Sequence, residues 1–263
     1  MPVTLVTTPG TVNANSYATE AEATAYFNSR LPLVPPWEDA DDPTAALVMS
    51  TRVLDAFVQA LRVYIPAGST GGSRPYYLTR RKWTGRPASE TQRRAWPRLG
   101  MYDFNGNPLD FTITAAVGSP TVITTSGVHR YTTGDTVFII GSDSTPSIDG
   151  AYTVTVVSST TFSIPVAVTV AGTVGYVTHI PLALKEAQSE LAGQLLIEDT
   201  TLDNDIRVNG ISSVRAGSVA VSFKDMIQQH VLPAAVWLLM PSSWLTDEIH
   251  EPVNPYLFDV VSE

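Results

Sequence analysis

The sequence predicts an α+β fold: a small α-helical bundle with a C-terminal β-hairpin, interrupted by an inserted all-β barrel or sandwich. Apolar residues recur at helical spacing on both flanks of the chain, whereas the central block alternates as strands do. The 263 residues, 44% of them hydrophobic, suffice for one large domain or two small ones. We predict a discontinuous helical domain (1–109 and 180–240), an inserted β domain (110–179) and an extended C-terminal arm (241–263).

Two helices are predicted before the central block. Thr19 and Glu22 have the spacing of a capping box, which begins a helix running to about Leu31. The second helix has Asp42 as its cap and Pro43 at its first position. Its apolar residues at helical spacing are Leu47, Leu54, Phe57, Val58, Leu61 and Ile65.

The central block, residues 110–179, has the composition of a β domain. It holds sixteen Thr and twelve Val but no Leu, Lys or Glu. Short alternating runs are separated by turn residues, and Gly134-Asp135 and Asp149-Gly150 are the predicted tight turns. Because helices are predicted on both sides, the block is expected to be inserted at a surface loop.

A third helix and a hairpin are predicted after the block. Pro181 opens a helix that ends near Glu198. Its apolar stripe consists of Leu184, Ala187, Leu191 and Leu195. Residues 214–223 alternate as a hairpin or strand, and Leu232 to Met240 predicts a short apolar helix.

The last segment, 241–263, has the composition of an arm, with three prolines and four apolar anchors. The anchors are Trp244, Tyr256, Leu257 and Phe258. One hypothesis is that the arm docks on a partner; the other is that it folds back on its own bundle.

Composition limits the classes of function. The chain has no cysteine, which excludes disulfides and thiolate chemistry. The N-terminus does not resemble a signal peptide, and the longest apolar run, Val231 to Met240, is too short to cross a bilayer. We therefore expect an intracellular product with no membrane anchor. The formal net charge of -9 argues against non-specific coating of nucleic acid, so any DNA contact should be local.

No catalytic or metal motif has the required spacing, so we predict a non-enzymatic protein without a cofactor. No lysine follows a glycine as a phosphate-binding loop requires. The four histidines never pair at helical spacing and are expected at surfaces or boundaries. Asp203 and Asp205 begin a calcium-type loop that Arg207 and Val214 interrupt. The acids Glu38, Asp39, Asp41 and Asp42 are expected to cap a helix.

A basic segment is the strongest indication of function. Eight of the sixteen Lys and Arg residues lie between Arg74 and Arg98, with Glu90 as the only acid there. This density indicates an anionic partner or neighbouring surface. The cations predicted to form an interface are Arg80, Arg81, Lys82, Arg86, Arg93, Arg94 and Arg98. Trp83, Trp96 and Pro97 are predicted to anchor the segment on the core, with base stacking as the alternative for the tryptophans.

Five stretches of sequence resemble a known family. They are Ser16–Phe27, Lys82–Arg86, Gln92–Gly100, Ile180–Ala187 and Val214–Phe223. Together they are similar to bacteriophage head-to-tail adaptor, or connector, proteins, a family also described as DnaT-like single-stranded-DNA-binding proteins. Within residues 110–179, short stretches such as Asp149–Val154 resemble β modules of phage virion proteins.

The resemblance implies a virion structural protein of the head-tail neck, made in the host cytoplasm. It implies a ring, expected to be a dodecamer, that binds the portal protein and a tail or neck protein and continues the channel for DNA ejection. An acidic chain suits a channel wall that must not hold phosphates. The alternative is a phage single-stranded-DNA-binding replication accessory protein.

Three hypotheses remain for the basic segment: an arginine joint to an adjacent subunit or portal, a DNA contact, and a solvated loop. The β domain is expected on the outside of the ring. A sugar platform built from Tyr131, Tyr152 and Tyr176 is a further possibility for it, although strand tyrosines usually pack.

Overall fold

The computed structural model describes residues 3–30, 37–59, 61–64, 76–197, 213–216, 219–222 and 234–253. The helices are α1 (Glu20–Ser29), α2 (Pro43–Gln59), α3 (Leu182–Ile197) and α4 (Ala234–Leu238), with a 3-10 turn at Ser242–Trp244. The first strands are β1 (Leu61–Tyr64), β2 (Tyr76–Trp83), β3 (Arg86–Pro87) and β4 (Arg98–Leu99). The central strands are β5 (Asp110–Ala115), β6 (Thr121–Thr125), β7 (Thr136–Ile140), β8 (Gly150–Thr153), β9 (Thr155–Ser158), β10 (Thr161–Ile164) and β11 (Tyr176–His179). The last are β12 (Ser213–Ala216), β13 (Val219–Ser222) and β14 (Leu245–Val253).

The prediction of a small helical bundle with a C-terminal hairpin is wrong as the fold class. The largest element is a seven-stranded antiparallel sheet of order β8-β7-β11-β5-β6-β10-β9, curved into a near-barrel. Its edge strands β8 and β9 follow each other in the chain around the buried Val154. Helices are few, and the part predicted as a bundle also holds a three-stranded sheet, β1-β2-β14.

That three-stranded sheet explains the error. The prediction continued α2 through Leu61, whereas α2 ends at Gln59 and β1 pairs antiparallel with β2. Val63 and Tyr64 have β-branched or aromatic side chains of the kind that favour strands. Strand pairing of residues 61–64 therefore outweighs the helical spacing of Leu61 on which the prediction depended. Ile65 lies outside the described residues.

Several local predictions are confirmed. Thr19 accepts a hydrogen bond from the Glu22 amide while Glu22 reaches back to the Thr19 backbone, which is the capping box that begins α1. The Asp42 carboxylate accepts from the Ala45 amide at 2.9 Å and caps α2. Strands β12 and β13 pair antiparallel as the predicted hairpin.

We call residues 110–179 the barrel, because all seven strands of the large sheet lie there, and the other described residues the body. The division into separate domains stays a prediction. Each has its own buried cluster: Phe111, Ile123, Val137 and Phe162 are central in the barrel, and Leu54, Trp96, Leu184 and Trp244 in the body.

Barrel and body meet across a small apolar contact. Phe138 of β7 packs against Ala88 and Leu99 of the body. Gly10, whose φ is +74°, lies so close that a Cβ there would be 2.3 Å from the Phe138 ring. The Thr178 hydroxyl also donates to the Arg98 carbonyl at 2.9 Å. The last strand of the barrel is thus tied to the basic segment.

Candidate functional site

The basic segment is built from strands in the structure. Residues 80–83 end β2, and the chain then turns into the short antiparallel pair β3 and β4. Gly85 makes this turn at φ +64°, where a Cβ would stand 2.2 Å from the Leu99 carbonyl oxygen. A side chain at this position is excluded both by the backbone conformation and by space.

Arg98 is an internal hydrogen-bond donor of this turn. Only 7% of the residue is exposed. Its guanidinium donates to the carbonyls of Thr84 at 2.8 Å, Gly85 at 3.0 Å, Ala95 at 3.1 Å and Trp83 at 3.4 Å. Burial lowers the pKa of Arg98 from its ordinary value. The planar guanidinium of arginine has several N–H donors and is suited to hydrogen bonding with several carbonyls at once. Its contacts are thus within the chain.

Arg94 is also committed internally. It pairs with Asp55 of α2 at 3.5 Å, and its Nε donates to the Ala14 carbonyl at 3.3 Å. The Tyr17 hydroxyl donates to the other carboxylate oxygen of Asp55 at 2.5 Å. Burial raises the pKa of Asp55, and the bonds from Tyr17 and Arg94 oppose that rise. This cluster joins the basic segment to α2 and to the N-terminal segment.

The remaining predicted cations are Lys82, Arg86, Arg93, Arg80 and Arg81. The first three are exposed. The Arg86 guanidinium carbon lies 5.9 Å from the centre of the Tyr176 ring, a cation–π distance that links body to barrel. Only the backbones of Arg80 and Arg81 are described. The register of β14 places Glu248 opposite Arg80 and Asp247 opposite Arg81. The chain itself thus brings an acidic strand beside its basic one.

The predicted anchors lie in a tryptophan cluster. The Trp96 ring centre is 5.7 Å from that of Trp83 and 4.8 Å from that of Trp244. Trp96 and Trp244 are each 1% exposed. The Trp244 indole donates to the Tyr102 carbonyl at 2.6 Å, and the Pro97 carbonyl accepts from the Ala88 amide at 3.0 Å.

The C-terminal arm is therefore held, over its described part, by its own chain. Trp244 packs in the body core, and β14 pairs with β2. This placement corresponds to the fold-back alternative for residues 241–253. The other predicted docking residues, Tyr256, Leu257 and Phe258, lie outside the described residues, so their docking stays a prediction.

Gln188 is the residue that the sequence analysis missed. Its amide nitrogen donates to the Ser16 hydroxyl at 2.7 Å and to the Leu47 carbonyl at 2.9 Å. Its amide oxygen accepts from the backbone of Tyr17 at 3.0 Å and of Ala18 at 2.7 Å. The signal was present, because a glutamine four residues after Leu184 and three before Leu191 lies on the apolar face of α3.

The structure corrects the predictions for His129 and for the three tyrosines of the barrel. His129 is 4% exposed, stacks on Tyr131 in the barrel core and is thus not the surface or boundary histidine that was predicted. Tyr131 is buried, Tyr152 is half-buried and Tyr176 is at the surface. A single platform of these three tyrosines is therefore excluded. His230 lies outside the described residues.

Neither a metal site nor a membrane-spanning helix is found among the described residues. They contain no cluster of three or more histidines and carboxylates that would hold a metal ion. Among the helices of that same part of the chain, none combines the length and the apolar character needed to cross a bilayer. Comparison with known proteins gave no family model that matches the sequence and no matching curated protein.

Proposed function

We propose that this chain is a virion structural protein that forms an adaptor ring between portal and tail and continues the DNA channel. The observation that supports the proposal is how the stretches that resemble the adaptor family meet. Four of the five contribute side chains to one buried cluster of the body, which contains Tyr17, Trp83, Trp96 and Leu184. Because the residues that carry the resemblance pack into one body, they indicate a shared subunit architecture. The function of an adaptor depends on that architecture.

The contacts between these stretches are specific. Gln188, one residue beyond the stretch 180–187, holds the backbone of 16–18 by the hydrogen bonds given above. Lys185 within that stretch pairs with Glu22 of α1 at 2.5 Å. Arg98 in turn holds the carbonyls of 83–85. The residues that carry the resemblance thus build the subunit rather than line a reaction centre.

The proposed joint uses the exposed part of the basic segment. Arg86 and Arg93 extend from a chain whose formal net charge is -9, so they suit an acidic surface on a neighbouring copy or on the portal. We propose a dodecameric ring as the assembled form, with a tail or neck protein on its far side. The single-strand-binding alternative gains less support, because the tryptophans that would stack on bases are buried.

Electron cryo-microscopy of purified particles tests the proposal. We expect the chain as a symmetric ring between portal and tail. Its absence from mature particles would contradict the proposal and favour the replication alternative.

A charge reversal tests the joint itself. Arg93→Glu should prevent ring formation or portal binding, measured by light scattering and co-sedimentation, whereas Arg130→Glu should not. The Arg130 side chain is a suitable control because it lies in the barrel and is 63% exposed. If both variants assemble equally well, the proposed joint is wrong. The ring itself would still be tested by the microscopy.

A further inference from the structure

An apolar groove with a volume of about 240 Å³ lies where the barrel meets the body. Phe104, Pro108 and Leu182 are exposed residues of its lining, and the buried Trp244 also borders it. Phe104 is 61% exposed and Leu182 is 67% exposed, although both side chains are large and apolar. Single exposed apolar residues are normal at a protein surface. Several that line one groove indicate a site for a partner.

The charges at the groove argue for an uncharged occupant. Asp103 and Arg130, the two charged residues of its lining, lie 3.8 Å apart. An ion of either sign would be attracted by one of them and repelled by the other. Ligand pockets measure roughly 300–1,000 Å³, so this smaller groove suits a side chain rather than a cofactor. The lining therefore fits an aromatic or aliphatic side chain.

The chain supplies such side chains directly after β14. We call residues 254–263 the tail; they lie outside the described residues. The tail contains Tyr256, Leu257 and Phe258 in succession. Alternate side chains of an extended segment point the same way, so Tyr256 and Phe258 can enter one groove together.

The tail of a copy is too short to fill that copy's own groove. Strand β14 begins opposite Trp83, beside Trp244, and ends with Val253 opposite Tyr76. It therefore carries the chain along β2 for about 23 Å away from the groove, at roughly 3.3 Å per residue. A chain that turns back uses at least about two residues in the turn. By Phe258 the tail could then return only about 10 Å.

We propose that the tail of one copy enters the groove of the next copy, with Tyr256 and Phe258 packed against Phe104 and Leu182. The inference rests on the proposed ring and gives it a second contact beside the arginine joint. Tail and groove are different surfaces of the same chain, so the contact is head-to-tail. Contacts of this kind generate rings when the rotation between copies closes.

A labelled peptide tests the contact without a ring. The probe is fluorescein-labelled 252–263, titrated with the full chain at concentrations where light scattering shows single copies. Fluorescence polarisation should show saturable binding. Leu182→Glu should weaken it at least tenfold, and this first position of α3 tolerates an acid because the helix N-terminus favours negative charge. The matched control is Leu238→Glu, at a residue that is 80% exposed but does not line the groove. It should bind the peptide as the wild type does.

Disulfide trapping shows whose tail fills the groove. The chain has no cysteine, so Ala183→Cys in the groove and Asp259→Cys beside Phe258 introduce the only two thiols. Oxidation of this double variant should link separate copies, seen as dimers and larger species on a non-reducing gel. Leu238→Cys combined with Asp259→Cys should remain unlinked. An internal disulfide in single copies of the first variant would place the tail in its own groove and overturn the inference.

The outcomes separate this contact from the proposed function. The contact is also overturned if the peptide does not bind, or if Leu182→Glu binds it as tightly as the wild type does. A ring in the particles together with an unbound peptide contradicts the contact alone. Peptide binding and trapping between copies, with no ring in the particles, would support the contact and contradict the adaptor.

Discussion

The barrel and the body are stabilised in different ways. In the barrel, alternate residues of β5, β6 and β10 face the core, as the burial of Phe111, Ile113 and Ala115 along β5 shows. In the body, a few buried polar side chains hold backbone segments that are far apart in the sequence, as Gln188 holds Ser16–Ala18. Single polar substitutions should therefore damage the body more than the barrel.

One spectroscopic fact makes this comparison measurable. All five tryptophans lie in the body, so tryptophan fluorescence reports on the body alone. Far-UV circular dichroism reports on both parts. Unfolding curves in urea followed by both signals should show which part each substitution weakens.

The largest expected effect is that of Trp96→Ala. Trp96 is 1% exposed and contacts both Trp83 and Trp244, so its loss leaves a cavity in the body core. We expect the free energy of unfolding to fall by about 3–5 kcal/mol, the usual range for a buried aromatic residue. Urea denaturation measures it. An unchanged midpoint together with lost DNA affinity would instead make Trp96 a binding residue.

Arg98→Met should have the next largest effect. The substitution keeps much of the side-chain volume but leaves the carbonyl of Trp83, which is buried, and those of residues 84, 85 and 95, which are partly buried, without this donor. We expect a loss of about 3 kcal/mol in unfolding free energy. The matched control is Arg86→Met, at an exposed arginine of the same segment, which should stay within about 0.5 kcal/mol of the wild type. Similar losses in both variants would mean that general charge, not the carbonyl contacts, matters.

Gln188→Leu sharpens the comparison, with Thr121→Val as its counterpart in the barrel. Both residues are 0% exposed. The Gln188 variant leaves the amides of Tyr17 and Ala18 without their acceptor and should lose about 2 kcal/mol.

The single hydrogen of the Thr121 hydroxyl can be donated to the Val166 carbonyl at 2.7 Å or to the Gly118 carbonyl at 3.0 Å, but both carbonyls also accept backbone amides. Thr121→Val should therefore lose only about 1 kcal/mol. A larger loss for Thr121→Val than for Gln188→Leu would refute the proposed difference between the two parts.

The last effect concerns pH. Burial, followed by the Lys185 charge, lowers the pKa of His179 to about 4. As the pH falls below the ordinary pKa of histidine, His179 takes up a proton in the unfolded chain but not in the folded chain. The free energy of unfolding therefore falls. Between pH 7 and pH 5 His179 should account for a loss of up to about 2 kcal/mol. The free energy of unfolding of His179→Gln should fall correspondingly less over that range. Equal declines in the variant and in the wild type would count against this prediction.

The local features of this chain were predictable and the non-local ones were not. The capping box of α1, the cap of α2 and the strands of 110–179 each depend on residues close together in the sequence. The pairing of β2 with β14 joins segments that are far apart in the sequence, and spacing within either segment contains no information about the other.

The candidate site shows the same limit. Charge density located the basic segment but treated its arginines alike, because composition does not reveal which guanidinium has carbonyls around it. The contact of Phe138 with Ala88 and Leu99 was also beyond reach, since these residues come together only when both parts have folded. Gln188 was within reach, because its position on the apolar face of α3 is a local property.

The pairing of Asp110 with Thr178 in β5 and β11 has a consequence for how the body folds. The first and last strands of the barrel lie side by side. The two parts of the body that flank the barrel in the sequence are therefore connected as if by a short turn. A flexible loop of the same length would cost the body roughly 4 kcal/mol of closure entropy, since that cost grows with the logarithm of loop length. A barrel that forms first removes most of this cost, and in that sense it acts on the body as a covalent clip would.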